Sequence, residues 1–335
     1  MAASIEDVAK RASVSISTVS RVLNRRNIVN ADTRKRVEAA IEELGYQPNV
    51  FARGLMLRKS NILSLVLPDL HGEFYSEIIR GANLKTRELG YHLLVSSVTA
   101  DDDGQDVLAA VGTQGLVDGI VVMVTEMSSR IRKSLANASI PLVVLDGDIQ
   151  GAMHDTVAID HHRGAEALVR HLLSTHPDGR IVFLGGHDTN LDTIDRLNAY
   201  RKVLAEVGRK PAEDDITHLD YSYETAFDYA SDRVLGWAEE KATVFAANDE
   251  MAAGVVDAAI AATLSVPEDL RVVGFDDTRI AQLTRPRLTT VRVPMADMGA
   301  TAIDLLCKRL AEPDRPAERV TLPTELVVRE SSGSN

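Results

Sequence analysis

Cysteine is almost absent from this chain: Cys307 is the single thiol among 335 residues. One thiol cannot close an internal disulfide, and its scarcity suits a reducing compartment. Long apolar runs are missing too. The best of them, Ile62 to Pro68, has the length of a strand and falls far short of the roughly 20 residues that span a bilayer. Met1 to Arg11 is polar and charged where a signal peptide would carry an apolar core. A cytoplasmic protein with no membrane partner is therefore expected. No Gly-x-Gly-x-x-Gly or other phosphate loop follows a strand pattern, and nothing has the form of a nucleophile elbow. Gly185-Gly186-His187-Asp188 lacks the remaining glycine and reads as a crevice loop. His161-His162 and His187 have no partners at metal-ligand spacing and read as surface histidines. No metal, no other cofactor and no catalytic residue is expected.

What is present is a folded composition, with 45% hydrophobic and 26% charged residues, on a chain long enough for two or three domains. The net charge of −12 is unevenly placed. Residues 1–60 hold 11 Lys and Arg against 6 Asp and Glu, a net of +5, which leaves −17 for the rest. A basic head on an acidic body turns only its head toward a polyanion.

The head carries three short helical patterns. Ser4 and Asp7 form a capping-box spacing ahead of the apolar face Ile5, Val8, Ala9 and Ala12. After the turn Ser13-Val14-Ser15, Ser15 caps a second helix through Leu23, with Val19, Val22 and Leu23 inward. Asn30 caps a third helix, about Ala31 to Leu44, which buries Val37, Ala40, Ile41 and Leu44 and ends at Gly45. Two short helices across a tight turn, braced by a third, follow the helix-turn-helix plan, whose second helix enters the major groove. Small hydroxyls at Ser15, Ser17, Thr18 and Ser20 can reach phosphates, and Arg21 can fork onto a guanine edge. The pattern alone leaves open a three-helix protein-interaction domain.

The run from Ile5 to Asn24, with Thr33-Arg34 and Leu44-Gly45-Tyr46-Gln47-Pro48-Asn49, resembles the head of the lactose-repressor (LacI/GalR) family. The likeness extends over essentially the whole chain. It implies a sequence-specific transcriptional regulator, more often a repressor, that binds double-stranded, pseudo-palindromic operator DNA as a homodimer under small-molecule control. By this resemblance Ile16, Ser17 and Arg21 set specificity, while Ser15, Thr18, Asn24, Thr33 and Tyr46 position the backbone. Residues 49–60 would be hinge helix and linker: Asn49 to Leu57 matches the hinge helix, and Leu55 matches the leucine wedged into the central base step. Two departures stand out. Ser13 replaces the usual turn glycine and must tolerate φ > 0. Gly54 weakens the free hinge helix by about 1 kcal/mol relative to Ala.

From residue 61 short apolar runs alternate with amphipathic helices. Candidate strands are Ile62–Leu67, Tyr91–Ser96, Gly119–Met123, Leu142–Leu145, Ile181–Leu184, Thr243–Ala246 and Arg271–Phe275. Candidate helices include Phe74–Leu89, Ala165–Leu173, Ile194–Val207, Tyr223–Trp237, Glu250–Ala262 and Met298–Leu310. That alternation means doubly wound parallel sheets, here enough for two, with a ligand crevice at the carboxyl ends of the strands. The resemblance implies a periplasmic-binding-protein-like core at 61–335 behind a 1–48 head. Its N-subdomain would take 61–160 plus 291–320 and its C-subdomain 161–290 plus 321–330.

The crevice should be lined by residues that follow strands: Phe74, Tyr75, Asp146, Asp160, Arg196, Tyr221, Asn248 and Asp276. Arg196 and Tyr221 are placed by resemblance; Asn248 equally suits an N-cap. An arginine and carboxylates around aromatic faces suit vicinal hydroxyls, so a sugar or nucleoside is the expected effector. Asn190 and Asp192 stand where the purine-sensing branch would need an arginine and a small hydroxyl, which argues against a purine. The tail Ser331 to Asn335 is polar, reads as disordered and holds no leucine heptad, so a dimer is expected through helices near Glu73–Leu84 and Ile280–Leu283. Cys307 reads as a packing residue. The competing function is a small-molecule binder or enzyme on the same α/β core.

Overall fold

The computed structural model describes residues 3–23, 29–46, 60–97, 116–126, 133, 135, 137–147 and 154–333. The chain divides into two compact units, 1–60 and 61–335.

The first unit has three described helices, α1 (Ile5–Ala12), α2 (Ile16–Leu23) and α3 (Ala31–Leu44). Its helix ends are fixed by the expected caps. Asp7 N–H donates to Ser4 Oγ at 3.2 Å and Ser4 N–H to Asp7 Oδ2 at 2.9 Å, a reciprocal capping box. Thr33 N–H donates to Asn30 Oδ1 at 2.8 Å, and Gly45 ends α3 in the left-handed conformation. Ser13 adopts φ 52°, so a side chain does occupy the turn position that favours glycine. Val8, Ala9, Ala12, Val19, Val22, Val37 and Ala40 form the small core, and Arg11 pairs with Glu43 across α1 and α3.

The second unit contains twelve described strands. β1 (Ile62–Leu67), β2 (His92–Ser97), β3 (Gly119–Met123), β4 (Leu142–Leu145), β5 (Asp155–Ile159) and β11 (Arg319–Leu322) make a six-stranded parallel sheet in the order β11-β5-β4-β3-β1-β2. β6 (Ile181–Gly185), β7 (Ile216–His218), β8 (Thr243–Ala246) and β9 (Arg271–Val273) make a four-stranded parallel sheet in the order β7-β6-β8-β9. Strands such as Gly119–Met123, buried at every residue, are what a parallel sheet covered on both faces requires. β10 (Thr290–Arg292) and β12 (Glu325–Val327) pair antiparallel. The helices are α4 (Gly72–Glu88), α5 (His161–Thr175), α6 (Leu191–Glu206), α7 (Tyr223–Ser231), α8 (Val234–Glu239), α9 (Asp249–Ala261), α10 (Arg279–Leu283) and α11 (Met295–Ala311).

Four expectations are corrected. The helix expected at Tyr223–Trp237 is two helices, broken at Asp232-Arg233. β9 stops at Val273, where its pairing with β8 ends and the chain bridges instead to Thr289 and Arg292. β11 reaches Leu322 within the first sheet, so the boundary expected at 320 moves past it. The tail is not loose as far as Gly333. Ser331 and Ser332 are fully buried in a 3-10 turn, where Ser331 Oγ donates to Val272 O at 2.5 Å and accepts Thr289 N–H at 2.9 Å. Hydroxyls thus complete the backbone pairing at the edge of the second sheet, which polarity alone does not reveal.

Candidate functional site

On the head, α2 turns one side to the core and leaves the other open. Val19 and Val22 are buried, while Ile16 is 44% exposed, a large apolar side chain held in water. Ser17 and Arg21 are exposed beside it. Ser15 caps the helix through Thr18 N–H at 3.2 Å, and its Oγ lies 2.8 Å from Ser17 Oγ and 2.9 Å from Thr18 Oγ1. Tyr46 packs partly against the head core. Asn24, Asn49 and Leu55 lie outside the described residues.

In the second unit a cavity of about 300 Å³ opens where the carboxyl ends of both sheets converge. The loop after β1 supplies Asp69 and His71, the first turn of α4 supplies Phe74 and Tyr75, and the loop after β3 supplies Thr125. After β6 come Asn190, Asp192 and Arg196; after β7, Asp220, Tyr221 and Ser222; after β8, Asn248 and Glu250; after β9, Asp276. This is where ligands bind in open α/β sheets. Phe74 and Tyr75 meet edge to face with centroids 5.3 Å apart. Tyr221 sits at φ 68° with its ring on Gly186, where an added Cβ would come within 1.9 Å of the ring, so only glycine fits there. The Tyr221 hydroxyl meets Thr193 Oγ1 at 2.6 Å and donates to Asn190 Oδ1 at 3.2 Å.

Of the eight expected crevice residues, Phe74, Tyr75, Arg196, Tyr221, Asn248 and Asp276 line the cavity. Asp160 and Asp146 do not. Asp160 caps α5, accepting Arg163 N–H at 3.1 Å. Asp146, at φ 55°, accepts Ile159 N–H at 3.1 Å and stands one layer behind the wall. Asn248 is a helix cap as well as a lining residue: Oδ1 accepts Met251 N–H at 2.9 Å, and Nδ2 donates to Tyr221 O at 2.9 Å.

The cavity floor overturns the reading of His161 as a surface residue. It is 2% exposed. Its Nε2 lies 3.5 Å from Asp146 Oδ2 and 3.4 Å from Asp192 Oδ1, and its Nδ1 lies 3.1 Å from Arg196 Nη2. Asp146, His161 and Asp192 could offer one ligand atom each to a metal, all within 4.8 Å. The guanidinium argues for a proton there instead. It can only donate, so Nδ1 accepts and Nε2–H points at the two carboxylates. Burial works to lower the His161 pKa, but Asp192 and Asp146 outweigh it and the net shift is upward.

Arg196 is buried, stacks 4.1 Å above the Phe275 ring and donates from Nη1 to Ala247 O at 2.5 Å. It approaches Asp192 only to 3.9 Å and Asp276 only to 3.7 Å. Burial raises the Asp192 pKa. Burial also pushes Asp276 up to about 7, against the pull of Arg196 and His161. Asp276 adopts φ 106°, strain of the kind that collects at binding sites. Behind it, Asp249 accepts Thr278 N–H at 2.8 Å and Thr290 Oγ1–H at 2.6 Å, tying the Asp276 loop to β10. Burial and the Asp276 charge hold the Asp249 pKa well above the ordinary carboxylate range. Among the described residues, three bonds bridge the two lobes around the cavity. Leu191 N–H donates to Thr125 O at 2.9 Å, Thr189 Oγ1–H to Glu126 Oε1 at 2.8 Å, and Arg279 N–H to Glu73 Oε2 at 2.7 Å.

Comparison with known proteins gives this geometry its setting. Residues 4–49 match the family of bacterial regulatory proteins, lacI family, and residues 169–332 match the periplasmic binding protein-like domain. Catabolite control protein A of Priestia megaterium is 33% identical over 99% of this chain and 100% of its own. The chain belongs to the lacI family of bacterial regulatory proteins. The ribose operon repressor of Escherichia coli strain K12 is 30% identical, covering 98% of this chain and 100% of that one. Among solved structures, the lac repressor dimer bound to operator and the anti-inducer ONPF superposes with a TM-score of 0.87 at 26% identity, covering 100% of both chains. A complex of the transcriptional regulator CelR with cellobiose has a TM-score of 0.74 at 28% identity, covering 98% of this chain and 99% of that one. This lacI-family protein is a DNA-binding transcriptional regulator with an effector-binding core, and not an enzyme. Among the described residues no helix is long and apolar enough to cross a membrane.

Proposed function

We propose that this regulator acts in the cytoplasm as a homodimeric repressor of a pseudo-palindromic operator, and that a sugar or nucleoside in the inter-lobe cavity sets its affinity for DNA. The carrying observation is the cavity itself: the carboxyl ends of both sheets converge on it, and it combines aromatic faces, acceptors and one buried arginine. Phe74, Tyr75 and Tyr221 supply stacking surfaces, while Arg196, Asn248 and Asp276 face the hydroxyls. Two relatives are named for sugars, one as a ribose operon repressor and one in complex with cellobiose.

On the head, Ile16, Ser17 and Arg21 meet base edges, and Ser15, Thr18, Asn24, Thr33, Tyr46 and Asn49 fix the phosphates. Leu55 wedges into the central step. The dimer pairs the faces around Glu73–Leu84 and Ile280–Leu283, so two heads read two half-sites. Effector shifts the DNA-binding equilibrium by the difference in its affinity for the two states of the dimer.

The test is selection from a genomic-fragment library by the purified full-length protein, with salt titration and with pooled sugars and nucleosides added. Recovery of a short palindrome whose affinity changes with one compound is the expected result. Binding that stays nonspecific at every salt concentration and with every pool would overturn the reading.

A further inference from the structure

The cavity is acidic. Five carboxylates line it, those of Asp69, Asp192, Asp220, Glu250 and Asp276, against the cationic groups of Arg196 and, when protonated, His71. Not all five are available to a ligand. Asp69 accepts the N–H groups of Leu70 and His71 at 2.6 and 3.1 Å, and Asp220 accepts Ser222 N–H at 3.0 Å, Ser222 Oγ–H at 2.8 Å and Thr225 Oγ1–H at 2.9 Å. These two are spent on their own turns.

Asp276 is different. It is 6% exposed, lines the cavity, and its Oδ1 has no hydrogen-bond partner. The neighbouring cation answers it only in part: Arg196 Nη2 stops 3.7 Å from Asp276 Oδ1, beyond hydrogen-bond reach, and the hydrogen bonds of the guanidinium go to Ala247 O and His161 Nδ1. Among the described residues, every other charged group facing this floor is an acid or the shared imidazole: Asp192 on α6, Asp249 and Glu250 on α9, Asp146 after β4, and His161 on α5. The charges of Asp192, Asp69, Asp276 and Asp146 also act together on the Tyr75 hydroxyl, which burial already holds in its neutral form. A ring in a negative field, beside a carboxylate without a donor, suits a cation over its face. A phosphate or uronate would enter against the same field.

We propose that the effector carries a protonated amine, as an amino sugar or an aminated polyol does, with its ammonium seated against Asp276 and Asp192 and its carbon ring or chain against Phe74, Tyr75 and Tyr221. This rests on the reading of the cavity as the effector site. The ammonium supplies the donors that Asp276 Oδ1 lacks, and the hydroxyls take the remaining polar groups.

The experiment is isothermal titration of the full-length protein at pH 7.5 with matched pairs. Glucosamine, galactosamine and mannosamine are each set against the parent hexose, and 1-amino-1-deoxyglucitol against glucitol. Glucuronate and glucose 6-phosphate serve as anionic controls. At least one amine should bind tenfold or more tightly than its hydroxyl twin, with no binding of the anions. Asp276→Asn should erase that preference, and Glu250→Gln should reduce it a fewfold, so a misfolded Asp276 variant would not end the test. Equal or tighter binding of the hydroxyl twins, binding of an anion, or no binding of any amine would overturn the proposal. Operator recovery modulated by a neutral sugar would sink the amine alone and leave the regulator standing. No operator and no ligand at all would bring down the underlying reading instead.

Discussion

One strand, β5, carries a buried charge cluster at each end, and the two differ in how fully their charges are paired: at the amino end Arg315 Nη1, 3.7 Å from Asp155 Oδ2, is the one buried atom without a hydrogen-bond partner among the described residues. At its amino end, Asp155 is completely buried. Its Oδ1 accepts Glu318 N–H at 2.8 Å and Arg309 Nη2–H at 3.1 Å, and its Oδ2 accepts Arg309 Nε–H at 3.0 Å. Arg309 spends its other donors on the carbonyls of Pro313, Arg315 and Pro316. At the carboxyl end, His161 Nε2, Asp146 Oδ2, Arg196 Nε and Asp276 Oδ1 are all buried without a hydrogen-bond partner. Satisfied charge fixes a structure; unsatisfied buried charge is kept only where something else completes it.

The largest effect should come from breaking the satisfied end. Asp155→Ala leaves Arg309 buried without its partner and should destabilise the second unit by about 3–5 kcal/mol. A thermal or urea melt reads this, and effector affinity of the folded fraction should not change. The same experiment at the unsatisfied end should have the opposite sign. A carboxyl whose folded pKa lies above its unfolded one loses stability as pH rises from about 4 through the folded value. For Asp276 that value is about 7. Asp276→Asn should therefore raise the melting temperature at pH 7.5 by several degrees, roughly 1–3 kcal/mol, and the gain should vanish near pH 4. Loss of stability in that variant at neutral pH would break the comparison. Gly186→Ala tests the aromatic wall beside the cluster. Its new methyl occupies the space of the Tyr221 ring, so effector affinity should fall about tenfold (near 1.4 kcal/mol) by titration, while DNA binding without effector persists. Ser13→Gly is the smallest change. Relieving φ 52° should stabilise the head by about 1 kcal/mol and leave both clusters untouched.

Much of this molecule is legible in local sequence because local rules decide it. The capping pairs Ser4–Asp7 and Asn30–Thr33 and the buried strands Gly119–Met123 and Leu142–Leu145 need no distant partner to be recognised. The cavity was only partly legible, since the rule that ligands sit beyond strand ends finds loops but not their depth. That rule placed Asp146 and Asp160 at the surface of the crevice, whereas one braces the wall and the other caps a helix. It missed Asp192 as a lining residue and His161 beneath it. A signal for His161 was present. It shares a helical face with Gly164, Ala165, Leu168, Val169 and Leu172, all buried, so its phase on α5 points inward. What no spacing shows is that the ends of β4, β5 and β6 converge to put Asp146, His161 and Asp192 in contact. The buried serines of the tail escaped for the same reason, because their partners lie more than forty residues away.

The three bonds across the cleft carry a further meaning when time is considered. One of them, from Leu191 N–H to Thr125 O, is wholly backbone and survives almost any side-chain replacement. A molecule held behind such a latch leaves only when the lobes part, so its departure is governed by the opening rate and not by its own contacts alone. Entry meets the same latch, so the opening of the lobes sets the pace at which this regulator can follow a change in its signal in either direction.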